Sequence, residues 1–155
     1  MAYSARGQAN HCLYLARILG AAWRRDSDAQ SVAASTLAQA YLPAVRMHLQ
    51  AAYGWFLLDI TRQEPLPALP PGNCADLPPR PAGKVLPGEI RECQQLERDG
   101  WLAEMLSAGE QPLAVNRHAD NLASTPAEAS PQQVEAWCNA LQGLFERMGN
   151  SLDEY

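Results

Sequence analysis

Residues 35–61 read STLAQAYLPAVRMHLQAAYGWFLLDIT. Apolar residues recur at Ala38, Leu42, Val45, Leu49, Ala52, Phe56 and Ile60, in steps of three and four. A second row runs through Leu37, Tyr41, Ala44, His48, Ala51, Trp55 and Leu58. At about 100° per residue the two rows lie side by side as one broad apolar arc, which predicts a long helix packed against at least two neighbours. Gln39, Arg46, Gln50 and Thr61 fall on the opposite side, which suits water. Pro43 interrupts the run. Inside a helix, proline removes a backbone hydrogen bond and crowds the preceding turn, at a cost of about 3 kcal/mol. Pro43 lies on the polar side, where helices bow toward solvent and a lost bond is best tolerated. Both rows keep phase across it, so one kinked, continuous helix is expected.

Working back toward the N-terminus, residues 4–25 predict a first helix. Cys12, Leu15, Leu19, Ala22 and Trp23 share one side, and Arg17 and Arg24 lie on the other. Asp26-Ser27-Asp28 would close it and offer cap oxygens to the next helix. So short a connection makes the two an antiparallel hairpin.

Toward the C-terminus the character changes. Eight of the twelve prolines lie between residues 64 and 88. No helix survives that density, and no strand alternation appears. An extended surface segment is expected, either strapped across the helices by Leu66, Leu69 and Leu77 or mobile. Residues 88–99 predict a short helix with Ile90, Cys93 and Leu96 on one side. Asp99-Gly100 breaks it, and Trp101, Leu102, Met105 and Leu106 supply a further turn or two. Residues 109–129 lack periodicity and predict a loop with Leu113 and Val115 tucked in. Ser130-Pro131-Gln132-Gln133 carries the signature of a helix start: serine at the cap, proline first and glutamine third. Val134, Trp137, Leu141, Leu144 and Met148 continue it, and Gly149-Asn150 marks its exit. Each main helical segment holds one tryptophan, which predicts a shared core. The expected architecture is all-α: an antiparallel helical bundle of about four main helices in a single domain over 1–155, with a proline-rich surface loop.

Several pieces of the chain stand out together: Asn10-x-x-Leu13-Tyr14-x-Ala16-Arg17, Trp23-Arg24, Trp101-Leu102 and the closing Ser130…Glu135-x-Trp137 helix. In these pieces the chain resembles a small uncharacterised bacterial family, a domain of unknown function. The resemblance implies a helical fold and assigns no activity, cofactor or site residue.

Charge is uneven. Residues 1–63 hold six arginines against three acids, a net of +3, and residues 64–155 hold six basic groups against fourteen acids, a net of −8. An acidic chain argues against general nucleic-acid binding. The four cysteines are far apart and form no CxxC pair, which predicts reduced and mostly buried thiols. Arg6, His11 and Arg17 break any leader-like apolar run, and no stretch reaches the length of a membrane span. A cytoplasmic protein is expected.

Candidate chemistry is sparse. Tyr41, His48 and Asp59 lie along the seam of the central helix, and His11 lies on the first helix, roughly 6 Å from the level of His48 at 1.5 Å rise per residue. A carboxylate on an apolar face needs a partner, and Arg147 or Arg6 is expected to supply it for Asp59. No Glu-x-x-His or His-Glu-x-x-His pattern, nucleophile context or phosphate loop is present, so no catalytic residue, metal or cofactor is assigned. The leading expectation is a non-enzymatic protein acting through protein contacts as a homodimer, because the central arc looks too broad for shorter neighbours to cover. A small-molecule or metal-dependent site at His11, Tyr41, His48 and Asp59 is the alternative. Nucleic-acid binding through Arg17, Arg24, Arg25 and Arg46 on the hairpin is the second.

Overall fold

The computed structural model describes residues 4–79, 85–108 and 129–153. All of its regular structure is helical: α1 (Ala5–Asp28), α2 (Ala34–Ile60), α3 (Gly88–Asp99), α4 (Trp101–Ser107) and α5 (Pro131–Asp153), with a 3-10 turn at Cys74–Asp76. The central stretch is one helix of 27 residues that continues unbroken past Pro43. Pro43 is exposed, on the side where the missing hydrogen bond faces water.

Helices α1 and α2 run antiparallel. Arg6 meets Asp59 at one end, and Trp23 stacks on Tyr41 near the other, with ring centroids 5.9 Å apart. Ser4 caps α1 by accepting the Gly7 N–H at 2.9 Å. The hairpin turn departs from expectation. Helix α1 continues through Asp28, and α2 starts after Ala33, which makes no side-chain cap bond. Asp26 does not cap α2; its carboxylate accepts the Tyr41 hydroxyl instead. Beyond α1 and α2 the chain turns through left-handed residues that are not glycine, Gln30 at φ 54° and Arg62 at φ 51°.

Helix α5 lies against both members of the hairpin. Ser130 caps it by accepting the Gln133 N–H at 3.2 Å. The helix does not end at Gly149-Asn150 but continues to Asp153. Arg24 pairs with Glu135 at 2.7 Å, Arg17 donates to Asn139 and Gln142, and Phe145 stacks on Phe56 at 4.3 Å. At 24 and 23 residues, α1 and α5 are nearly as long as α2 and cover most of its arc. Ala38, Val45, Leu49, Ala52, Phe56, Leu57, Leu58 and Ile60 are buried.

Between α2 and α3 the described part of the proline-rich segment, 62–79, forms a strap. Leu66 and Leu77 pack on the core as expected, but Leu69 is 79% exposed and anchors nothing. The strap's real seat is Gly54. Its backbone carbonyl at Pro71 and the Pro70 ring occupy the space where a side chain on Gly54 would be. Gly100 separates α3 from α4, giving two short helices that pack on each other and on α2. Ile90, Cys93, Leu102 and Met105 are buried there. Of the four tryptophans, Trp23, Trp55 and Trp137 are buried in the core, and Trp101 is half-buried against it. The loop over 109–129, with Leu113 and Val115, and part of the segment over 64–88 lie outside the described residues.

Candidate functional site

The four residues singled out by pattern do not form one site. Tyr41 and Asp59 are eighteen residues apart on α2, about 27 Å along its axis. Tyr41 is engaged with Trp23 and Asp26, and the bond to the Asp26 carboxylate raises its phenol above the ordinary value. Asp59 takes Arg6, one of the two expected arginines, as its partner at 3.1 Å. Arg147 pairs instead with Glu92 on α3 at 3.0 Å. His48 is half-buried on α2 and His11 is exposed on α1. Burial, and then the neighbouring His11, lower the pKa of His48 below the ordinary imidazole value. Among the described residues, no three His, Cys, Asp or Glu side chains converge as metal ligands would.

Asp59 does line a cleft at the open end of the hairpin, between α1, α2 and α5. The cleft encloses about 160 Å³, with Phe56 and Phe145 as its floor and Arg6, Asn10 and Glu146 around its rim. Its strongest charges neutralise each other in the Arg6–Asp59 pair. Of the four candidate residues, Asp59 alone reaches it.

A further polar cluster among the described residues lies elsewhere, and the sequence pattern does not single it out. Tyr53, from the middle of α2, is fully buried and donates its hydroxyl proton to Glu97 on α3 at 2.6 Å. The same carboxylate accepts the backbone N–H of Cys74 in the strap, at 3.1 and 3.3 Å to its two oxygens. The Cys74 sulfur lies 3.6 Å from the Tyr53 oxygen, and Cys93, one turn before Glu97 on α3, is buried beside them. Burial pushes the Cys93 thiol up to about 12 and raises Cys74 and Tyr53 strongly. These groups therefore stay protonated at neutral pH, which makes the thiols poor nucleophiles. All four cysteines are free thiols, and Cys12 alone is not buried. One signal was available: Cys93 and Glu97 are four apart on α3, so the carboxylate shares the packed side of that helix. Its partners, Tyr53 and Cys74, are distant in the chain and leave no local pattern.

The arginines of the hairpin are likewise directed to different neighbours. Arg17 and Arg24 reach across to α5. Arg46, expected to face water, is half-buried. It donates Nε and Nη2 to the Leu106 carbonyl, at 3.2 and 2.7 Å, at the C-terminal end of α4. This is the helix end that favours a cation, because its last carbonyls have no partner within the helix.

These features define an all-helical protein in which Tyr53, Glu97 and Arg46 join separate elements. Among the described residues, no helix is long and apolar enough to cross a membrane. The chain belongs to a family of unknown function, DUF6586, whose model matches residues 1–155. No curated protein and no solved structure matches it.

Proposed function

We propose that this chain is a single-domain, cytosolic helical bundle without enzymatic activity that works through protein–protein contacts, as a homodimer. The observation that carries the reading is the outer face of the α1–α2 hairpin. Tyr14, Ile18 and Met47 are 60%, 47% and 59% exposed. In the antiparallel register given by Arg6–Asp59 and Trp23–Tyr41, Ile18 stands level with Met47. Around them Ala21, Ala40 and Pro43 are exposed, and Ala44, His48 and Ala51 are half-buried. Small side chains between large ones let a second helix pair approach closely, and two hairpins laid face to face would bury both sets. The rest of the α2 arc cannot serve this purpose, because the chain's own helices and strap cover it.

The polar groups support the same reading. Tyr53, Glu97 and Arg46 join elements together, and the raised thiols do not suit nucleophilic work. Sedimentation velocity at micromolar concentration tests the proposal. The expected result is a dimer for the wild type, and a monomer of unchanged thermal stability for Ile18→Glu and Met47→Glu. A wild-type chain that stays monomeric at every accessible concentration overturns it.

A further inference from the structure

We infer that the strap and the α3–α4 pair dock on the rest of the fold as one separable unit, and that the Glu97 carboxylate is the latch that holds it down. This inference stands independently of the dimer.

One core cluster runs through the fold: α1, α2 and α5 supply Leu13, Val45, Leu49, Phe56 and Leu141, and the strap, α3 and α4 add Cys74, Ile90, Cys93, Leu102 and Met105 at its side. Helices α3 and α4 pack chiefly on each other and more lightly on α2. Among the described residues, the side-chain joints between the two parts include Arg147–Glu92, Arg46 to Leu106 and the bonds of Glu97. Arg147–Glu92 is exposed, with 59% and 43% of the two side chains open to water, and surface pairs of this kind contribute little. Arg46 holds the end of α4. Glu97 differs in kind, because one carboxylate receives a hydroxyl from α2 and a backbone N–H from the strap while standing on α3. Three elements meet at that side chain. Its loss takes the carboxylate acceptor from a buried phenol, which keeps only the weakly accepting Cys74 sulfur, and from the Cys74 N–H, and missing hydrogen bonds are most costly at buried groups.

Lifting this unit uncovers Tyr53 and the flank of α2 at Gly54, where the strap now sits. It also uncovers two thiols that report on the event. Cys74 belongs to the strap and Cys93 to α3, and both are buried in the docked form. Cys138, buried on α5, belongs to the other part and serves as the internal reference. Local opening with a free energy below that of global unfolding exposes the first two thiols and leaves the third covered.

The test is a timed N-ethylmaleimide reaction on the full native chain, with the modified cysteines read peptide by peptide. The inference predicts that Cys74 and Cys93 react at a common rate, at least tenfold faster than Cys138. Glu97→Ala should raise both rates at least a further tenfold and leave the Cys138 rate unchanged. If Glu97→Ala does not fold, Tyr53→Phe removes the same hydroxyl bond with the ring retained and is judged by the same criteria. Two outcomes overturn the inference. One is a single rate shared by Cys74, Cys93 and Cys138, which means that the chain opens only as a whole. The other is an unchanged Cys74 and Cys93 rate in the latch variant.

Discussion

The carbonyl oxygen of Pro71 occupies the place where a β-carbon on Gly54 would have to be. The Pro70 Cβ lies only 2.9 Å from the same point. The neighbour is backbone, so no flexible side chain can move aside. Gly54→Ala must therefore lift the strap or displace α2. Overpacking of this kind costs about 1–3 kcal/mol, and the upper end is expected here. Urea unfolding measures it. A loss under ~0.5 kcal/mol would mean that the strap rides loosely over α2.

Gly143 is the opposite case. It stands exposed in α5, and nothing lies within 4 Å of a β-carbon placed there. Alanine at this helical position should stabilise the chain by about 0.5–1 kcal/mol, because glycine loses more backbone freedom on folding. The left-handed Gln30 inverts that logic: Gln30→Gly removes a β-carbon from a conformation that disfavours one, and a small gain is expected. Thermal unfolding of the two variants beside Gly54→Ala separates close approach, helix propensity and backbone strain.

Arg46 holds the last turn of α4 through two N–H groups on one carbonyl. Arg46→Met keeps most of the aliphatic stem and removes both donors. Bonds from a charged donor contribute about 1.5–3 kcal/mol, and a loss near the lower end is expected because the site is only half-buried. Arg46→Lys should recover part of it, since an ammonium can reach one acceptor but lacks the fork. Equal losses for Met and Lys would place the value of Arg46 in its geometry rather than its charge.

Local rules carry much of the helical layout, and contacts between distant segments account for what they miss. The phase of the apolar rows across Pro43 predicts an unbroken α2, and Ser130 followed by Pro131 predicts the start of α5. The need of a carboxylate for a partner points to Arg147 or Arg6 for Asp59, and only the fold selects Arg6. Arg46 departs from its expected place for a clear reason. The helical wheel places it opposite the arc, but α4, some sixty residues later, returns to that side. Leu69 looked like an anchor by composition, whereas the strap is held by the absence of a side chain at Gly54. The dimer expectation rested on an arc too broad for its neighbours. The lengths of α1 and α5 remove that argument, and the outer hairpin face replaces it.

The Arg6–Asp59 pair joins the open end of the hairpin, yet the two side chains are 44% and 21% exposed. Pairs so open to solvent contribute about 0.2–1 kcal/mol. A double-mutant cycle with Arg6→Met and Asp59→Asn should give a coupling within that range that shrinks at high salt. A coupling above ~2 kcal/mol would mean that the pair is shielded from solvent far more than its exposure indicates.

His48 supplies a pH dependence whose sign can be fixed. Its folded pKa lies below the ordinary value of 6.5, first through burial and then through His11. The folded chain therefore binds a proton on His48 less readily than the unfolded chain does. Stability from this source is fully present above about pH 6.5 and falls as the pH drops below it, because the unfolded state is protonated first. The decline ends once the pH is below the folded pKa. His48→Gln should flatten that part of the stability profile. An NMR titration of the imidazole Cε1 proton should give a His48 midpoint below 6.5, and His11→Ala should move it upward by removing the nearby positive charge. A midpoint that ignores His11→Ala would mean that the two rings do not sense each other and that burial alone sets the shift.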